Sequence, residues 1–332
     1  MTETDYAVDR ISDLPRDILN KILSYMPLRD AVRTSTLSSQ WRYKWTTIPD
    51  LVFDRYLERF LNRHNMEAVV DQVLSHHDGA ITRFAINNCH IQSYYSVGRW
   101  LSYLSNHGIK SLEFSPKYLN MVPVPLTGFD QLRHLLLGIS CVVKIPPSWR
   151  GLNQLIALQL IQANIEDGDL HLLLSKCPKI KHLDLRIRSQ GGIKELPNKL
   201  DHLTDLDLGT MSFVDLGNIK LLLSLIKSSP NLRSLRLYNA ASIGENGVTE
   251  YLKAQDDLKD CLGCLEDVMI HLMMDFPAEV ELVKLLLRSA PVLEKVDIYT
   301  SKSHFDAPIR EFKNTKCASS KVKIIVHTNF MY

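Results

Sequence analysis

No stretch of this sequence is apolar for long enough to cross a bilayer as a helix. Runs such as Leu135–Val143 and Leu221–Ile226 fall far short of the twenty or so residues a span needs. An excess of one charge is missing as well. Lys and Arg number 39 against 37 Asp and Glu, a net charge of +2, which leaves no electrostatic footprint for nucleic acid or an anionic membrane. The opening MTETDYAVDR carries acids early and no apolar run, so it is not read as a secretory signal. The six cysteines are then expected to be reduced thiols, in the cytoplasm, the nucleus or both. No Walker lysine loop, G-x-G-x-x-G or G-x-S-x-G occurs, so neither a catalytic site nor a cofactor is expected.

The chain has an ordinary globular balance, with 332 residues, 45% hydrophobic and 23% charged. That length accommodates about two domains, or one small module and a long repeat array. The densest feature is ISDLPRDILNKILSYMPLRDAVRTSTLSSQWRYKW, from Ile11 to Trp45. Ser12 or Asp13 can cap a helix there, and Pro15 suits its first turn. Ile18, Leu19, Ile22 and Leu23 repeat at helical spacing, and Met26-Pro27 stops the helix. Leu28-Arg29-Asp30 restarts the chain into Ala31, Val32 and Ser35, and Leu37, Trp41 and Trp45 follow on a third segment. Three short helices cannot cover both their own core and a second apolar stripe. An uncovered Leu or Ile forgoes roughly 1.5–3 kcal/mol, which invites a partner helix.

This run resembles an F-box, closely the plant form that continues into Leu51-Val52-Phe53-Asp54. The resemblance implies docking onto the Skp-type adaptor of a cullin–RING ubiquitin ligase. The tethering residues it implies are Leu14, Pro15, Ile18, Leu19, Ile22 and Leu23, with Leu28, Val32, Leu37 and Trp41 supporting.

One or two helices are expected between Asp54 and His77. Then a period appears: apolar, two free positions, apolar, one free position, apolar. It starts at Ile81, Ile109, Leu132, Leu155, Ile180, Leu203, Leu232, Leu265 and Leu293, with steps of 28, 23, 23, 25, 23, 29, 33 and 28 residues. Most steps fall in the range of leucine-rich repeats. The alternation at the end of each unit is a strand signal. Apolar helical stretches at Leu172–Cys177, Leu221–Ile226 and Leu282–Leu287 follow strands, and Pro178, Pro230 and Pro291 reset the chain. Each unit has an inward face it cannot cover alone, so neighbours stack on one core. The Asn or Cys usual three residues after the last strand leucine appears once, as Cys89. Ser140, Ala163, Arg188, Met211 and Ala240 stand there later, so an irregular solenoid is expected.

The segment PAEVELVKLLLRSAPVLEKVDI within Leu265–Ile298 resembles the C-terminal FBD segment that accompanies plant F-box and leucine-rich-repeat proteins. Pro277-Ala278 stand where a glycine is usual. Val322–Val326 reads as a last strand at the sheet's open edge. The fold class is therefore α/β: a small N-terminal helical F-box followed by an irregular leucine-rich-repeat solenoid with a curved parallel sheet. The expected organisation is F-box over 8–54, helical linker over 55–80, solenoid over 81–260, and FBD-like repeats and cap over 261–332.

Other groups read more simply as structure. Cys261-Leu-Gly-Cys264, with His271 nearby, lacks four zinc ligands and a βαβ redox context. His76-His77 are adjacent and diverge on a helix, where a C-terminus explains them. Glu166-Asp167-Gly168-Asp169 lacks the spacing of a calcium loop. No metal site is expected. The strand positions alternating with the buried leucines line the concave sheet: Arg83, Glu113, Gln159, His182, Asp184, Arg186, Asp205, Asp207, Arg236, Tyr238, Asp267, His271, Lys295, Asp297 and Tyr299. Solenoids bind partners there, and the mixed sign favours a protein or small polar ligand over nucleic acid. The expected chain is a non-catalytic adaptor. Its partners are the Skp-type adaptor, through it cullin and RING subunits, and a protein target to be ubiquitinated. The other reading is a stand-alone leucine-rich scaffold without ligase association.

Overall fold

The computed structural model describes residues 11–61, 66–117, 121–139, 141–187, 199–239, 247–255, 258–272, 276–300, 310–312 and 314–328. By its internal contacts the chain divides into two units, 1–122 and 123–332.

The first unit begins with helices α1 (Arg16–Ser24) and α2 (Leu28–Arg33). Prolines set both starts: Pro15 and Pro27 occupy the cap positions in extended conformation, as residues outside the helix must. Ser12 does not cap α1; its hydroxyl accepts the Trp41 indole N–H at 2.7 Å. The expected third helix is instead three 3₁₀ turns, Thr34–Thr36, Ser39–Trp41 and Lys44–Thr47. The reason lies in the hydroxyl residues of this stretch. Thr34, Thr36 and Thr46 bond the carbonyls of Ala31, Arg33 and Tyr43 at 2.7, 2.8 and 2.7 Å, competing with a continuous helix.

Asp50–Asp54 then forms β1, followed by α3 (Arg55–Phe60) and α4 (Met66–His76). Asp54 caps α3 by accepting the Leu57 N–H at 2.9 Å. β2 (Arg83–His90), α5 (Tyr94–Ser105) and β3 (Ser111–Lys117) complete this unit's sheet. β1, β2 and β3 run parallel, aligning Leu51, Phe84 and Leu112 in one row and Phe53, Ile86 and Phe114 in the next. All six are fully buried. The first strand of the sheet is thus drawn from the end of the F-box-like motif.

The second unit opens at the short β4 (Val122–Pro123), then β5 (His134–Leu137), β6 (Cys141–Val143), β7 (Ala157–Ile161), β8 (Asn164–Ile165), α6 (Asp167–Ser175) and β9 (His182–Arg186). It continues through β10 (Asp205–Met211), α7 (Leu216–Ser228), β11 (Ser234–Asn239), α8 (Val248–Lys253), β12 (Asp267–Leu272), α9 (Pro277–Ser289), β13 (Lys295–Thr300) and β14 (Lys323–Thr328). β5, β7 and β9 to β14 pair in that order, all parallel. One row of inward residues runs Leu135, Leu158, Leu183, Leu206, Leu235, Val268 and Val296. All of them are buried, as are the nine residues that begin the repeats.

The repeat is irregular, as its spacing implies. β6 and β8 pair outside the main sheet where later repeats carry helices, and α7 and α9 have 13 residues against 9 in α6. The turn position filled by Cys89, Ala163 and Met211 is buried whatever stands there; Ser140, Arg188 and Ala240 lie outside the described residues. Burial pushes the Cys89 thiol up to about 12, so it packs as a small apolar group.

Leu206→Ala should destabilise the second unit by roughly 2–5 kcal/mol, seen as a lower urea midpoint. An unchanged midpoint would show that the leucine rows are not what holds the sheet.

Candidate functional site

Two surfaces carry the residues singled out in the sequence. In the N-terminal module, the two apolar stripes of α1 separate. Leu19 and Leu23 turn inward, joining Ala31, Trp41 and Ile48 in a small core, with Leu14, Met26 and Trp45 packed against it. Ile18 and Ile22 turn outward, 47% and 40% exposed, as do Tyr25 at 79% and Leu37 at 70%. Pro15 is also exposed. This corrects the expectation for Leu19, Leu23 and Trp41: their side chains are consumed by the module's own core and support the surface instead of forming it. Leu28 is buried too. It lines, with half-buried Val32, a cleft of about 280 Å³ that includes Trp45, Leu57, Phe60 and Val73.

The second surface is the face of the second unit's sheet that alternates with the leucine rows. Its middle row aligns Gln159, Asp184, Asp207, Arg236, Met269 and Asp297. A flanking row aligns His182, Asp205, Ser234, Asp267 and Lys295. The third holds a stack of rings. Tyr238 lies on His271 at 4.6 Å, His271 on Tyr299 at 4.6 Å, and Tyr299 on His327 at 4.4 Å, with interplanar angles of 21°, 9° and 12°. The stack ends under a cation: the Arg186 guanidinium sits 5.6 Å from the Tyr238 ring centre. Gly209 makes this reach possible, because a Cβ there would stand 2.6 Å from Arg186 Cγ. His327 is the member the sequence reading missed. It stands two residues past Ile325, where the alternation of the last strand places it.

Most charges on this face are paired. Arg186 donates to both Asp184 oxygens, at 3.1 and 3.2 Å. His182 lies 3.0 Å from Asp205. Lys295 and His327 hold Asp297 at 2.6 and 2.9 Å; burial works against its charge, and these two bonds still keep it below the usual carboxylate range. Burial lowers the His271 imidazole, keeping a neutral ring in the stack. Asp207 differs. Desolvation, then the neighbouring Asp184 charge, push it up to about 6 despite Arg186 and Arg236, and its buried Oδ1 has no hydrogen-bond partner. In the first unit, Arg83 pairs with Glu113 at 2.7 Å.

The remaining candidates are structural. Cys261 and Cys264 are half-buried free thiols, and His271 is engaged in the ring stack. Asp167 and Asp169 lie in the first turn of α6, and Asp169 accepts the Ile145 N–H at 3.1 Å. His76 ends α4 and bonds the Gln72 carbonyl at 2.8 Å. Among the described residues no cluster of His, Cys, Asp or Glu is placed to hold a metal.

Asp207 makes a signed prediction. Its folded value is raised from 3.8 to about 6, so between those values the folded chain binds more protons than the unfolded one, and stability falls as pH rises. The charged groups around it are Asp184 and Arg186 on β9, Asp205 on its own strand, and Arg236 beside Tyr238 on β11. Asp207→Asn should therefore raise the melting temperature at pH 7 by a few degrees, on the order of 1–2 kcal/mol after discounting for partial exposure. The gain should vanish near pH 4. A variant less stable than the parent at pH 7 contradicts this.

Comparison with known proteins bears on both surfaces. The F-box domain model matches residues 11–52. The model described as FBD-associated F-box protein At5g56370, LRR repeats, matches residues 97–199. The chain is 26% identical to an F-box/FBD/LRR-repeat protein of Arabidopsis thaliana over 90% of its own length and 93% of the relative's. It is 27% identical to an F-box/LRR-repeat protein of the same plant, over 78% and 91%. A putative FBD-associated F-box protein of that plant is 27% identical over 58% of this chain, which there spans 46% of the relative. The chain thus carries an F-box domain and FBD-associated leucine-rich repeats, and along its length it is similar to plant F-box proteins with leucine-rich repeats.

Proposed function

We propose that the chain is the substrate-recognition subunit of a Skp–cullin–F-box (SCF) ubiquitin ligase. Its F-box docks on the Skp-type adaptor, and the repeats hold a protein target. The observation that carries the reading is the exposed stripe of Ile18, Ile22 and Tyr25 along α1, with Leu37 also exposed, on a module whose own core is already filled. Large apolar side chains gathered on so small a module are an interaction surface. The adaptor links the chain to cullin and RING subunits, in the cytoplasm, the nucleus or both. Its own part is non-catalytic. Holding target lysines beside a charged conjugating enzyme raises their effective concentration, with no chemistry in this chain. The FBD-like segment over 261–332 is part of the target-holding array in this reading.

Replacing Ile18 and Ile22 together by Ala should weaken adaptor binding by on the order of 2–4 kcal/mol, at least tenfold in Kd. The far-ultraviolet circular dichroism and melting temperature should stay those of the parent. Leu19→Ala should instead melt the N-terminal module, since it opens a cavity. Full adaptor binding by the Ile18/Ile22 variant overturns the assignment, and a parent chain that binds no adaptor leaves a stand-alone scaffold.

A further inference from the structure

On the open face of the second unit's sheet, neighbouring carboxylates already have donors. Asp184 takes both bonds of Arg186. Asp205 is bonded by the Thr204 hydroxyl and faces His182. Asp297 is held by Lys295 and His327. Asp207 stands between Asp184 and Arg236 in register with one oxygen buried and unbonded. Arg186 is committed to Asp184 and to the Tyr238 ring. Arg236 lies directly across in register and is exposed; its charge acts on Asp207 without a bond to the buried oxygen.

A half-buried carboxylate beside a second one, with no donor of its own, is unfavourable in the free protein. Such frustrated groups gather where binding needs them. Oδ1 is sealed from solvent, so an incoming charged donor can reach only the other oxygen of this half-buried carboxylate, with a hydrogen bond about twice as strong as a neutral one. The wall beside it is ready for a side chain. Tyr238 is already fixed by His271 on one side and Arg186 on the other, so a contact to it forfeits little further freedom.

We propose that Asp207 is the anchor for a basic side chain, lysine or arginine, carried by the protein target that this face holds. The inference rests on the substrate-recognition reading above. It names a target segment with a cation that reaches the middle row of the sheet between β9 and β11, against the edge of the Tyr238 ring. A polycation has no general attraction to this chain, whose net charge is +2, so binding must be local.

The test uses the full chain and three fluorescein-labelled probes, hexalysine, hexaarginine and hexaglutamate, followed by fluorescence anisotropy at pH 7.5. Hexalysine, hexaarginine or both should bind the parent chain, their ratio telling which base is preferred, and hexaglutamate should not. Asp207→Asn should weaken cationic binding at least tenfold, while Glu166→Gln, an exposed acid at the start of α6, should leave it within twofold. Because the Asp207 variant is expected to melt no lower than the parent, loss of binding is not loss of fold. Cationic binding unchanged in Asp207→Asn, no cationic binding by the parent, or equal binding of hexaglutamate overturns the proposal. Adaptor pull-down on the same samples separates the two readings. Asp207→Asn should retain the adaptor, and a parent chain that fails to bind it sinks the ligase reading whatever the peptides do.

Discussion

Leu206 cannot be sealed by its own repeat alone. It is buried because Leu183 and Leu235 stand in register on either side, and each of those depends on its neighbour in turn. This mutual cover is the constraint that the rest of the second unit obeys. It fixes every strand parallel, with the leucines aligned across neighbours, at the spacing of about 4.7–4.9 Å that backbone pairing sets. The alternate side chains then have no choice of place. Tyr238, His271, Tyr299 and His327 stack at 4.4–4.6 Å because their strands are that far apart. Asp184 and Asp207 are adjacent for the same reason, although two carboxylates side by side are unfavourable. The leucine rows thus order the open face of the sheet, and its electrostatic strain is a by-product of their order.

The N-terminal module solves a different problem. With so few residues it cannot bury two stripes of one helix, and α1 buries Leu19 and Leu23 while leaving Ile18 and Ile22 outside. The short core is closed by Trp41, whose indole N–H is bonded to Ser12, so it folds without covering the outer stripe. A surface of that kind remains exposed unless another polypeptide covers it. This is why the functional reading places an adaptor there and a target on the sheet.

Much of this was legible in the sequence. The nine repeat starts predicted nine strands, β2, β3, β5, β7 and β9 to β13, and all nine form. The final strand was expected at Val322–Val326 and lies at Lys323–Thr328. β1 was hidden because Leu51-Val52-Phe53-Asp54 reads as the tail of the F-box motif. β6 and β8 are too short, at three and two residues, to leave an alternation. The division of α1 was illegible for a geometric reason: Ile18/Ile22 and Leu19/Leu23 have the same spacing and are one position apart, so only the packing of Trp41 and Ile48 decides which pair faces in. The ring stack joins residues about thirty apart, and the isolation of Asp207 follows from Arg186 choosing Asp184 through the gap at Gly209. No local pattern carries either.

The account is tested most directly by hydrogen–deuterium exchange of the full chain, alone and with a purified Skp-type adaptor. It predicts slowed exchange confined to α1, α2 and the 3₁₀ turns through Thr47, with the strands of the second unit unchanged. Protection absent from α1, or found on the sheet instead, would contradict it.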